Sequence, residues 1–173
     1  MCPLHLIYKN KLLHMKKQQL TSEFSIYTFD ELPENYKNLV TQAKQQTENA
    51  YVPYSHFAVG AAVLLENGEI FTGNNQENAA YPSGLCAERV ALFYANSQRP
   101  SVAVSALAVA AKVNGDFLEE PISPCGACRQ VMLETETRFL KPITLILYGR
   151  HQIYVFDSIT EILPFSFTDA SMK

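Results

Sequence analysis

With 173 residues, 47% of them apolar and 18% charged, the chain is long enough for one domain with a sizeable core and shows no low-complexity or disordered composition. Its net charge of −3 offers no broad positive surface for a phosphate backbone, which argues against a nucleic-acid polymer as partner and suits a small neutral substrate. Apolar runs such as 102–111 are too short and too mixed to cross a bilayer, so no membrane partner is expected.

Residues 1–22 stand apart from the rest. They carry Lys9, Lys11, Lys16 and Lys17, with no acidic residue before Glu23. A signal peptide needs a longer apolar core and a transit peptide usually brings arginine. The segment reads as a flexible basic extension, or as translation upstream of a start at Met15, ahead of a domain spanning 23–173. Asp30 is expected to cap a helix over 32–47, with Pro33 in its first turn. Residues 57–65, rich in Val, Ala and Leu, read as a strand. Glu66-Asn67-Gly68 reads as a hairpin turn leading to a returning strand over 69–73.

After a loop holding Tyr81-Pro82-Ser83-Gly84, residues 86–95 read as a helix, and 101–112 as a central strand buried on both faces. Pro124 opens a second helix over 126–137. Residues 143–148 and 152–156 read as strands, and Ser158 as the cap of a short helix ending near Leu163. Alternating strands and helices argue for a three-layer α/β/α sandwich around a five-stranded sheet, mixed because of the opening hairpin.

Two segments carry chemistry: Cys86-Ala87-Glu88 and Pro124-Cys125-Gly126-Ala127-Cys128. Each falls at an expected helix start, where free N–H groups favour the metal-binding thiolate. If Cys86, Cys125 and Cys128 converge, they hold one Zn²⁺ and leave a fourth position open, the catalytic arrangement. Glu88, two residues beyond a ligand, can lie in the same pocket without binding the metal, as a general acid/base must. Three thiolates leave one excess negative charge, and Arg89 and Arg129 are the available cations to offset it. The bland reading is a closed structural site with Cys2 as fourth ligand. His56 reads as structural, and His5, His14 and His151 carry no signal.

From about residue 30 to 167 the chain resembles the cytidine deaminases of the small homotetrameric, three-cysteine zinc class. The shared pieces are Pro53-Tyr54-Ser55-His56-Phe57-Ala58-Val59-Gly60-Ala61-Ala62, Asn75-Gln76-Glu77-Asn78-Ala79-Ala80-Tyr81, Cys86-Ala87-Glu88-Arg89 and Pro124-Cys125-Gly126-Ala127-Cys128-Arg129-Gln130. The resemblance implies zinc-dependent hydrolysis of cytidine and deoxycytidine to the uracil nucleosides, a cytoplasmic salvage reaction. It implies zinc on Cys86, Cys125 and Cys128, proton transfer by Glu88, ribose contacts from Asn75 and Glu77, and Phe57 against the base. Ala87, Tyr54, Tyr81 and Phe167 fall at substrate-pocket positions, some of them reaching from a neighbouring subunit. Gln76 stands where an aliphatic residue is usual and is not expected to touch the chemistry. The rivals are a related deaminase of the blasticidin type, an editing deaminase, and a non-catalytic zinc-stabilised module. Asn75 and Glu77 favour a nucleoside over the first. The lack of basic-aromatic interleaving disfavours the second.

Overall fold

The computed structural model describes residues 16–172. Residues 1–15 of the expected extension, with Cys2, His5 and His14, lie outside the described residues, and residues 16–21 are exposed without a regular element. Seven strands and three helices follow. They are β1 (Ser25–Tyr27), α1 (Glu34–Gln46), β2 (Phe57–Leu65), β3 (Ile70–Asn74), α2 (Ala87–Gln98), β4 (Val104–Val113), β5 (Asp116–Phe117), α3 (Gly126–Phe139), β6 (Thr144–Tyr148) and β7 (Ile153–Phe156).

The strands form one sheet in the order β1-β7-β6-β4-β2-β3, with β5 paired to β4. Only β4 and β6 run parallel, joined by the crossover through α3; the other pairs are antiparallel. The mixed α/β sandwich is therefore as expected, but with seven strands instead of five. The additional β1 and β5 are three and two residues long. Pieces that short carry no periodicity, and only their partners β7 and β4 make them strands.

The three layers follow from side-chain alternation. On β4, Ala106, Ala108 and Ala110 face one cluster with Leu39, Val40 and Ala43 of α1. Leu107 and Val109 face the opposite cluster with Ala91, Leu92 and Ala95 of α2 and Met132 and Leu133 of α3. Small residues on one face and larger ones on the other let a single helix press close to one side while two helices share the other.

The start of α1 differs from expectation. Pro33, not Asp30, is the N-cap, and it makes no side-chain cap. The residue before a proline is pushed away from helical geometry, so the helix cannot begin at Leu32. Residues 28–32 form turns instead, with Glu31 N–H donating to the Thr28 carbonyl and Leu32 N–H to that of Phe29. The β2–β3 turn closes through Leu65 N–H on the Glu69 carbonyl at 2.9 Å, with Gly68 at φ 85°, the three-residue loop in which glycine supplies the left-handed position. Ser158 does cap its segment: its side chain accepts from Thr160 N–H, and the turn over Ile159–Ile162 is 3-10.

Two glycines permit the close approach of helices to sheet. A Cβ on Gly60 would stand 2.0 Å from the Ala43 carbonyl oxygen of α1, and one on Gly73 would stand 2.6 Å from Ala91 N and 2.9 Å from the Ala87 oxygen of α2. Gly73 sets the depth of the helix whose first turn carries Cys86 to Arg89. Gly73→Ala is expected to force α2 off β3 and lower the stability by about 1–3 kcal/mol, with looser metal retention. Urea unfolding monitored with zinc content tests it; an unchanged midpoint would mean that α2 is not seated on this glycine.

Candidate active site

Cys86 is the N-cap of α2 and Cys125 the N-cap of α3, both with extended backbone and neither making a side-chain hydrogen bond to its own helix. Their sulfurs, at the position where an Asp or Ser would ordinarily cap, leave the helix N–H groups uncapped and stand free for another partner. Cys128, one turn into α3, is fully buried. The Sγ atoms of Cys86 and Cys125 lie 3.9 Å apart, those of Cys125 and Cys128 3.5 Å, and all three sit within 4.8 Å of one another. The edge of a tetrahedron with zinc–sulfur arms of ~2.3 Å is ~3.8 Å, so this trio fits a zinc ion with one position left open. None of the three is in a disulfide.

The electrostatics of the trio are asymmetric. S–H donation from Cys128, aided by the Arg89 guanidinium, draws the Cys86 thiol down to about 5, while Cys128, its proton held by Cys86 and its sulfur buried near Glu88, is pushed well up. Metal binding takes all three as thiolates and displaces their protons. Arg89 Nη2 stands 3.8 Å from the Cys86 sulfur, whereas its buried Nε has no partner among the described residues.

Arg129 is different. Its Nε donates to the Pro124 carbonyl at 2.8 Å, Nη1 to that of Ile162 at 2.8 Å and Nη2 to Ser123 Oγ at 2.7 Å. Those bonds turn it toward the loop before α3. Of the two cations, only Arg89 donates to a ligand sulfur.

Glu88, second residue of α2, is only 5% exposed. Burial, then the charge of Cys86, raises its pKa. It lines a cavity of about 740 Å³ together with Cys86 and Cys125. Phe57, Asn75, Glu77, Tyr81, Ala87 and Arg89 open onto the same cavity, so most of the residues singled out from sequence are brought to one place. Phe167 is not among them; it is 61% exposed, its carbonyl accepting from Gln130 Nε2 at 2.8 Å.

The polar wall is built by the segment after β3. Asn75 Oδ1 accepts from Val59 N–H at 2.8 Å and Nδ2 donates to the Phe57 carbonyl at 2.9 Å, so this side chain acts as a short extra strand partner for β2. Glu77 Oε2 accepts from Tyr54 N–H at 2.9 Å and Ser55 N–H at 3.3 Å. Donation by the Ser55 hydroxyl and these amides holds the Glu77 carboxyl below the usual range. One Nδ2 hydrogen of Asn75 has no partner among the described residues.

Tyr54 and Tyr81 meet edge to face, ring centroids 6.2 Å apart, also on the cavity lining. Ile122 and Ser123, which the sequence does not single out, line it too; their one signal is their place just before Pro124-Cys125. Gln76 lines it as well, with its main chain paired to Leu85 and its side chain on Asn74 Oδ1 at 2.5 Å.

The family model described as the cytidine and deoxycytidylate deaminase zinc-binding region matches residues 33–141. The chain is 41% identical over 137 residues to a cytidine deaminase of Halalkalibacterium halodurans, covering 78% of this chain and 96% of that protein. It is 50% identical over 98 residues to one of Sporosarcina psychrophila, covering 57% and 68%. Among solved structures, it is similar to cytidine deaminase from Burkholderia pseudomallei, with a TM-score of 0.64 and 39% identity over 75% of this chain and 97% of the other. The enzyme from Mycobacterium tuberculosis superposes with a TM-score of 0.60 and 34% identity, covering 77% and 97%.

One zinc per chain is the expected stoichiometry. Cys128→Ser should release it, and Cys2→Ser should leave it in place. Zinc measured by atomic emission after dialysis decides between an open three-cysteine centre and a closed one, since metal loss on changing Cys2 would show a fourth ligand.

Proposed function

The chain belongs to the family of the cytidine and deoxycytidylate deaminase zinc-binding region, and on that premise we propose that it hydrolyses the C4 amine of free cytidine and deoxycytidine, giving the uracil nucleoside and ammonia. The observation that carries this reading is Glu88: a buried carboxylate with a raised pKa, beside three convergent cysteines, on the lining of a cavity of nucleoside size. Zinc held by Cys86, Cys125 and Cys128 supplies acidification of a water for attack on C4.

Glu88 does the proton work. It accepts a proton from the attacking water and delivers it to N3, then carries the second from the new C4 hydroxyl to the departing amine, so both water hydrogens are accounted for. A carboxyl whose proton is held more tightly than usual suits both steps near neutral pH. Arg89, close to the Cys86 sulfur, offsets the excess charge of three thiolates and keeps the metal electrophilic.

Asn75 binds the ribose through the Nδ2 hydrogen that its β2 contacts leave over, and Glu77 through its carboxylate. Phe57 and Ala87 flank the base, and Tyr81 with Tyr54 closes one side. A free nucleoside, not a polymer, is the substrate; the net charge of −3 supports this. Cys86, Cys125 and Cys128, none of them in a disulfide, support a cytoplasmic setting, and no helix among the described residues is long and apolar enough to cross a membrane.

The active unit is a homotetramer in which Phe167 enters a neighbour's site. Its exposed ring, absent from the lining of its own chain's cavity, supports this, as do the exposed Phe93 and Tyr94 on α2. Residues 23–173 form the catalytic domain and 1–22 an extension to it; Glu23 N–H on Glu161 Oε2 at 2.8 Å supports placing Glu23 in the domain, and Ser22 Oγ donates to the Glu161 carbonyl beside it.

Glu88→Gln is expected to keep the zinc and the fold and to lower turnover by at least ~10²–10⁴-fold. Loss of absorbance from cytidine, recorded with and without a zinc chelator, tests the reaction; near wild-type turnover of the variant would remove the assignment. Running blasticidin S in parallel separates the related deaminase. Phe167→Ala should raise the Michaelis constant, leave zinc unchanged and weaken assembly, since an aromatic stacked on a ring is worth ~0.5–1.5 kcal/mol beyond its buried area. Light scattering is the companion measurement, and a fully active monomer would contradict the shared site.

A further inference from the structure

The lip of the cavity formed by Ile122, Ser123 and Pro124 stands directly before the Cys125 ligand and lines the substrate space at Ile122 and Ser123. Among the described residues, no backbone-to-backbone hydrogen bond holds residues 121–124; the last such bonds before them join residues 118 and 119 to Arg150 and His151. Pro124 has no N–H to offer and Cys125 caps α3 without a side-chain bond. What does hold this lip is the fork of Arg129. Two of its nitrogens reach the Pro124 carbonyl and the Ser123 hydroxyl, and the third reaches the Ile162 carbonyl in the 3-10 turn over Ile159–Ile162.

We infer that Arg129 is a positioning residue of the site: its guanidinium fastens the 122–124 lip of the substrate cavity to the 159–162 turn. The inference rests on the deaminase reading for its kinetic consequence, not for its geometry. An arginine is suited to the task because its N–H donors point in fixed, divergent directions, whereas a lysine ammonium carries the same charge on one point and cannot span three acceptors so placed. The turn it reaches is itself pinned. Glu136, buried on α3, accepts from Ile159 N–H at 3.0 Å and Ser158 Oγ at 2.7 Å, so Arg129 ties a loosely held lip to a firmly held turn.

The test compares Arg129→Lys with wild type by cytidine kinetics, zinc content and backbone 15N order parameters at the Ile122 and Ser123 amides. Expected is one retained zinc and a fall in kcat/KM on the order of 10- to 100-fold, most of it in KM. The order parameters should fall at Ile122 and Ser123 and stay unchanged in β2 and β4. Wild-type kinetics in the lysine variant would overturn the inference, because charge alone would then suffice. Slower turnover with unaltered order parameters at Ile122 and Ser123 would overturn it equally. If wild type itself leaves cytidine untouched, the deaminase reading fails and the relaxation measurement still decides the tether. Should Arg129→Lys not fold, Ser123→Ala removes one arm of the fork. The same loosening with a smaller kinetic loss is then expected, and unaltered order parameters refute the tether.

Discussion

Everything in the site depends on three sulfurs being held within about a zinc–sulfur bond length, ~2.3 Å, of a common point. Two thiolates ~4 Å apart repel by roughly 4 kcal/mol at an effective dielectric of 20, so three of them cannot stay together by packing alone. The ion they bind, the positive ends of two helices and the nearby Arg89 guanidinium each offset part of that repulsion. A bound zinc would also join the N-termini of α2 and α3, neither of which has a side-chain cap.

Holding those N-termini in place is the work of the sheet. Gly73 lets α2 sit against β3, and the larger residues of β4 meet α2 and α3 from below. On the opposite face the alanines of β4 let α1 lie close. Lys44 of α1 adds a tie there: its Nζ donates to Tyr148 Oη at 3.2 Å and lies 4.5 and 5.0 Å from the Tyr148 and Phe117 ring centroids. At the far end of α3, Glu136 accepts from Ile143 and Ile159 amides, so the helix that presents Cys125 and Cys128 is anchored at both ends. The interior is dense and the ligands sit on regular elements, which suits a centre whose geometry must not drift.

The loops around the cavity are built by a different device, side chains standing in for missing main-chain partners. Asn75 completes the hydrogen bonding of the first residues of β2, Glu77 accepts from the amides of residues 54 and 55, and Arg129 donates to the Pro124 carbonyl and the Ser123 hydroxyl before α3. Asn75 and Glu77 both shape the wall and line the space within it, whereas Arg129 acts on the wall from behind.

Much of this was determined by the sequence alone. Helix starts at the cysteine motifs, the Asn-Gly turn, the two-faced strand (expected over 101–112, found at Val104–Val113) and the ligand set follow from local chemistry, because caps, turns and alternation are properties of neighbouring residues. The family motifs named Glu88, Asn75 and Glu77 for the same cavity. Tertiary structure decided what depends on residues far apart in the chain. Strands β1 and β5 exist only against β7 and β4. Between two arginines equally placed after a motif residue, folding alone turned Arg89 to sulfur and Arg129 to carbonyls 5 and 33 positions away. Ser123 and Ile122 became cavity residues because a crossover brought them over the first turn of α2. No spacing rule could have told these apart, since a long side chain chooses among acceptors that only the packed chain assembles.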